Sequence, residues 1–137
     1  MKLFRFTLLM LILTVCILIS CDETTLQETP PPSPSVPYII TYTVTESSQG
    51  TAAVSMIRYA LNDGTLTTVL DPTLPWSREL SINSGNQAFM EVSGRLTTGN
   101  ILLRIEARSE GNVLETSKNF NESNANFSIS DTLDIEL

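Results

Sequence analysis

Side chains able to do covalent or acid–base chemistry are few in this 137-residue chain, and their placement narrows the choices quickly. There is no histidine and there are only two cysteines, Cys16 and Cys21. Without histidine, the Ser-His-Asp and Cys-His nucleophilic arrangements cannot be built, nor can the common zinc ligand sets. No glycine-rich phosphate loop of either familiar type occurs. Paired carboxylates remain, the requirement for acid–base hydrolysis. Glu79, Glu91, Glu106 and Glu115, however, alternate with apolar positions, which makes them the solvated faces of strands. The acidic end, Asp131, Asp134 and Glu136, offers oxygen ligands for calcium but lacks the loop spacing that calcium sites use. Asn121-Glu122-Ser123 and Asn126-Phe127-Ser128 match the glycosylation sequon and are read as chance. Catalytic, metal and cofactor sites are all expected to be absent. The lone tryptophan, Trp76, preceded by Pro75, is the remaining candidate. It is either a core plug or a surface platform on which a sugar or peptide stacks.

The N-terminal segment differs in composition from everything after it. Lys2 and Arg5 make a short positive region, and Leu8 to Ile19 is apolar apart from Thr14. A basic start, an apolar run of roughly 7–15 residues and a small residue before a cleavage point form a secretory signal. A spanning helix needs about 20 apolar residues, so a retained anchor helix is the weaker reading. Leu18-Ile19-Ser20-Cys21 resembles the lipobox of bacterial lipoproteins: branched apolar residue, small residue, then cysteine. That resemblance implies cleavage before Cys21 and lipid on its thiol, with residues 1–20 removed. Palmitate and diacylglycerol on Cys21 would then tie the protein to a membrane of the bacterial cell envelope. Whether inner or outer stays open, although Asp22 leans toward retention at the inner one.

Charge and cysteine content then constrain the mature chain. Removing Lys2 and Arg5 leaves 6 basic against 15 acidic residues, a net charge of −9. Such a surface opposes nucleic-acid binding, which depends on cationic contacts to phosphate. It equally opposes lying flat on anionic lipid, so the acyl chains must supply the anchoring. With Cys21 acylated no disulfide can form, and the fold must stand on its core alone.

Residues 21–37 read as a tether. Pro30, Pro31, Pro32, Pro34 and Pro37 lie among Thr, Ser, Glu and Asp, with almost nothing apolar to bury. Polyproline geometry at about 3.1 Å per residue would let it span roughly 50 Å. From residue 38 to 137 the period changes to two. Tyr38, Ile40, Tyr42 and Val44 alternate with Ile39, Thr41 and Thr43 as a β-branched strand. Ser55, Ile57, Tyr59 and Leu61 form the next inner face, and Asn62-Asp63-Gly64 turns it into Thr65–Leu70. Trp76, Arg78, Leu80 and Ile82 share one face after the break at Asp71-Pro72. Ala88, Met90 and Val92 point inward. So do Ile101, Leu103, Ile105 and Ala107, leaving Arg104, Glu106 and Arg108 to water. Val113–Lys118 and Ala125–Ser130 complete the series. Short strands with turn signals every ~8–12 residues predict an all-β, immunoglobulin-like antiparallel β-sandwich of about seven strands.

One block is individual enough to suggest a family. Leu74-Pro75-Trp76-Ser77-Arg78, together with Ile39, Thr41, Tyr42 and Val44 upstream and Asn62-Asp63-Gly64-Thr65 between, resembles the MmpS-type transport accessory proteins. The hairpin from Arg104 through Gly111 to Leu114 has a counterpart there too. The resemblance extends over about Tyr38 to Ser130 and implies the β-sandwich. It also implies a non-catalytic role beside an envelope exporter. The chain departs from that family in having a lipobox where those proteins have a membrane helix, and in lacking a cysteine pair in the domain. The expected function is therefore a lipid-anchored, non-catalytic envelope lipoprotein. Its partners would be the membrane, through Cys21, and another envelope protein or transporter. A cell-surface glycan- or peptide-binding module is the alternative.

Overall fold

The computed structural model describes residues 35–47 and 49–136. The expected signal segment, Cys21 and the tether up to Pro34 lie outside the described residues. Eight strands follow in chain order: β1 Pro37–Glu46, β2 Thr51–Ala60, β3 Leu66–Leu70, β4 Trp76–Asn83, β5 Gln87–Thr98, β6 Ile101–Ser109, β7 Asn112–Phe120 and β8 Ala125–Asp134. They form two antiparallel four-stranded sheets, ordered β4-β1-β6-β7 and β3-β2-β5-β8. The all-β sandwich expected from period-two patterning is thus what the chain adopts, with eight strands where about seven were expected. Only β2–β3 and β6–β7 are hairpins within a sheet. Every other connection between successive strands crosses to the opposite layer, so β1 and β2 sit in different sheets.

This crossing brings the alternating apolar residues of both sheets together. Ile40, Tyr42 and Val44 of β1 and Ile101, Leu103, Ile105 and Ala107 of β6 meet Ile57, Ala88, Met90, Val92 and Leu96, all fully buried. The inner-face assignments for β1, β5 and β6 therefore hold residue by residue.

Two assignments shift. In β2, Val54 rather than Ser55 is buried, because the register with β5 slips between Val54 and Met56. The extra residue of this bulge reverses the side-chain phase on one flank, so Ser55 turns outward and its hydroxyl donates to the Ser93 carbonyl at 3.1 Å. In β8, the strand runs on to Asp134, and Ile135 beyond it is buried.

Both ends of the domain are stitched to the turn between β4 and β5. The Val36 amide donates to Ser84 Oγ at 2.9 Å, and the Ser84 amide donates to the Val36 carbonyl at 2.8 Å. The Gly85 amide donates to the Ile135 carbonyl, and the Ile135 amide to that of Asn86. Ordered pairing therefore begins at Val36, slightly before residue 38, where the domain was expected to start. At the opposite end, the Ser47 amide donates to the Asn100 carbonyl at 3.1 Å, and Ser47 Oγ accepts from the Asn100 amide. Gly99 makes this crossing possible: its φ is +85°, and any Cβ there would collide with Ser47 Oγ and the Gly50 Cα.

Gly94 marks the other tight approach, opposite the bulge. A Cβ at that position would overlap the Ala53 carbonyl oxygen and sit 2.8 Å from the Val54 Cα, both of them backbone atoms that cannot rotate away. We expect Gly94→Ala to destabilise the domain by about 1–3 kcal/mol, in the range of overpacked core positions. Urea denaturation followed by circular dichroism measures it, and an unchanged midpoint would contradict the close approach.

Candidate functional site

Trp76 opens β4, an edge strand, and points to the inner side opposite Val44 of β1. Its ring is half-buried and tilted against Tyr59 at 5.4 Å between centroids. Tyr59 in turn tilts against Tyr42, again at 5.4 Å. The three aromatics bridge the layers, because Tyr42 and Trp76 come from one sheet and Tyr59 from the other. Tilted pairs at this spacing add about 0.5–1.5 kcal/mol each beyond the area they bury. The Tyr42 hydroxyl, deep in the core, donates to the Ala60 carbonyl at 3.1 Å. Burial pushes the Tyr42 phenol well above its ordinary range, because the phenolate would have to sit in apolar surroundings. Pro75 lies exposed just before Trp76, in a cis peptide bond with Leu74, and Leu74 packs against the core beside it. The Pro-Trp motif therefore closes the side of the sandwich where β4 and β3 are the edge strands.

The opposite side, between β7 and β8, is closed differently. Phe120 and Phe127 tilt together at 5.3 Å, and the Thr116 hydroxyl donates to Asp131 Oδ2 at 2.6 Å. Asp131 occupies an inner-phase position beside Met90, so this bond runs from one sheet to the other. Of the other carboxylates in the acidic end, Asp134 accepts from Gln87 Nε2 at 2.7 Å, while Glu136 accepts from the Tyr38 hydroxyl through its backbone carbonyl. The three acids considered as calcium ligands are thus spread over separate contacts. Among the described residues no group of three His, Cys, Asp or Glu side chains converges.

The outer face of the first sheet carries the densest charge. Arg104 Nη2 donates to Glu106 Oε2 and to Glu115 Oε2, each at 2.7 Å, and Arg108 Nε pairs with Glu106 Oε1. Glu106 lies directly opposite Glu115 in register, a repulsive arrangement that the Arg104 guanidinium offsets by bridging both carboxylates. The Glu115 hydrogen bond, foremost among the causes, raises the Arg104 pKa further. Glu106 was expected to face water; it is only 8% exposed. It sits on a central strand, with Arg104 and Arg108 on the same face engaging its two carboxylate oxygens. Thr41 and Thr43 complete a shallow polar depression of about 300 Å³ there. On the second sheet, Glu91 pairs with Arg58 at 2.5 Å and accepts from Ser128 Oγ at 3.2 Å.

The sequence singled out Trp76, as a core plug or a ligand platform, while two features went unread. The i, i+2 spacing of Arg104, Glu106 and Arg108 was a readable signal of a same-face network. No signal in the sequence announces the Thr116–Asp131 bond. No family model and no curated protein sequence matches the chain.

Trp76 is the only tryptophan, so its fluorescence reports this flank directly. Trp76→Ala is expected to cost about 2–4 kcal/mol, and Trp76→Phe clearly less, since a phenyl ring keeps part of the Tyr59 contact. The native emission should be blue-shifted and only partly open to acrylamide; fully quenchable, water-like emission would contradict the stacking. Tyr42 gives a second test. In the unfolded chain its phenol ionises near pH 10, whereas in the fold it stays protonated to higher pH. Stability should therefore be full below about pH 10 and fall as pH rises above it. Tyr42→Phe should flatten that alkaline loss while costing about 1 kcal/mol at neutral pH for the bond to Ala60. Urea midpoints at pH 7 and pH 11 separate the two effects.

Proposed function

We propose that this chain is a lipid-anchored, non-catalytic lipoprotein of the bacterial envelope whose β-sandwich makes contact with another envelope component. The observation that carries the reading is Leu18-Ile19-Ser20-Cys21, standing between an apolar run with a basic start and a proline-rich segment. The geometry of the described domain supports a contact role over a catalytic one. The carboxylates that acid–base chemistry would need are engaged: Glu106 with two arginines, Glu91 with Arg58 and Asp131 with Thr116. The aromatic that would form a ligand platform is instead packed on Tyr59. The depressions on the surface are shallow clefts between side chains of the outer faces and turns. Two of them, at about 530–540 Å³, lie beside Leu66 and Phe89 on one sheet and beside Ile39 and Val113 on the other.

The resemblance of Leu74-Pro75-Trp76-Ser77-Arg78 and its flanking strands to MmpS-type proteins supplies the finer form of the proposal, an accessory to an exporter. A net charge of −9 after processing opposes adhesion of the protein to an anionic bilayer, so contact with a protein partner and not with lipid headgroups is its natural use.

Metabolic labelling with an alkyne palmitate tests the anchor. The wild-type protein should take up label and the Cys21→Ser variant should not, whether or not that variant is processed. The intact mass of the native protein should show residues 1–20 removed and lipid added. A native mass that begins at Met1 with an unmodified thiol would refute the anchor and with it the location. Crosslinking in intact cells then asks for a recurring envelope protein, and its absence under several growth conditions would count against the contact role.

A further inference from the structure

Two four-stranded sheets have four edges, and three of them carry charge. β4 has Arg78 and Glu79, β7 has Glu115 and Lys118, and β8 has Asp131 and Asp134. Charges on an edge strand are a common defence against unwanted strand pairing. β3, Leu66-Thr67-Thr68-Val69-Leu70, has no charge, proline or bulge, and its brevity is its only protection.

Its backbone faces outward in a defined pattern. The Leu61 amide donates to the Thr65 carbonyl and the Asp71 amide donates to the Ser55 carbonyl. These bonds fix the phase of the β2–β3 ladder, so Thr67 and Val69 turn their amides and carbonyls toward β2. Leu66, Thr68 and Leu70 then direct theirs away from the sheet. The same residues have side chains on the outer face, where Leu66 is 51% and Leu70 71% exposed. Among the described residues, apolar side chains and unpaired backbone groups therefore coincide on this strand.

Charge decides what fits. Asp63, whose carboxylate accepts from the Thr65 amide and hydroxyl, stands before β3, and the exposed Asp71 stands immediately after it. A second copy pairing antiparallel about Thr68 would bring Asp71 beside Thr65 and Asp63 of its mate at both ends. It would also join two domains that each carry 6 basic and 12 acidic residues. Like charges placed in this way oppose pairing.

We infer that the β3 edge is a docking site for an extended segment of a partner protein, apolar at alternate positions and bracketed by lysine or arginine. The segment adds a fifth strand to the sheet through the outward groups of Leu66, Thr68 and Leu70, its basic ends resting near Asp63 and Asp71. This inference rests on the contact reading above for the kind of partner, and its test is independent of acylation: loss of the lipid would leave the edge result standing, and the reverse.

The full-length protein, purified in detergent, is titrated by fluorescence anisotropy with a labelled Lys-Lys-Val-Thr-Val-Thr-Val-Lys-Lys peptide. Binding should be at least 10-fold tighter than for the peptide with glutamates in place of the lysines. Thr68→Pro should weaken it at least 10-fold with all charges retained, because proline at this edge position removes an outward donor and no ladder bond. Should that variant misfold, the same peptide with N-methylated valines asks the question of the unaltered protein and should bind at least 10-fold more weakly. Hydrogen exchange should slow at Leu66, Thr68 and Leu70 when the unmethylated peptide is added. The inference is overturned by no binding, by binding that survives both Thr68→Pro and N-methylation, or by equal binding of the two charge forms. It is also overturned by a concentration-dependent dimer that Thr68→Pro abolishes, since a second copy would then occupy the edge.

Discussion

A sandwich of this size with no cysteine in either layer stands on the apolar contact between its two inner faces, and that contact must be sealed at both open sides. Sheets stacked about 10 Å apart leave a gap along their outermost strands, through which water would otherwise reach the core. The chain seals the two gaps with different chemistry. At β3 and β4, Trp76, Tyr59 and Tyr42 fill the space with stacked rings. At β7 and β8, Phe120 and Phe127 do so together with the Thr116–Asp131 hydrogen bond. Between these seals the core is mainly aliphatic or small, with Met90 among it: Ile40, Val44, Ile57, Val92, Leu103, Ile105, Ala88 and Ala107 are fully buried. Because five of the seven connections pass from one layer to the other, forming one sheet alone would leave the four strands of the other unpaired, in its connections and at one end.

The outer faces follow another logic. Their ionic groups are arranged in short structural sets, Arg104 with Glu106 and Glu115 on one sheet and Arg58 with Glu91 on the other. Pairs open to solvent at both ends, such as Arg104–Glu115, contribute little to stability, about 0–1 kcal/mol each. These sets hold carboxylates and guanidinia against one another on the sheet faces, while the surplus of acidic residues makes the net charge negative. Under the contact role proposed above, the uncharged β3 edge is where backbone groups stand free to pair.

Much of this architecture was legible in the sequence, because period-two alternation of β-branched residues is a strong signal wherever one face is buried. β1, β5 and β6 could be assigned inner and outer faces residue by residue. Legibility failed at positions where the alternation itself was interrupted. Asp131 occupies an inner position, so the apolar rhythm of β8 seemed to stop at Ser130, and the buried Ile135 went unrecognised. Its carboxylate is tolerated there because Thr116, distant in sequence, supplies a donor. The bulge near Ser55 shifted β2 by one residue, which no composition rule registers. Glu106 looked like any outward glutamate, and its burial goes with two arginines engaging its carboxylate. In each case a tertiary partner overrode the local pattern.

The stitching of Val36 to Ser84 has a mechanical consequence. Any pull on the chain ahead of Val36 enters the domain along β1, an internal strand paired with β4 on one side and β6 on the other. Drawn lengthwise, β1 cannot be peeled away bond by bond from a free edge; both ladders are loaded in shear at once and must slide together. Tension from that direction therefore meets the most resistant part of the fold first.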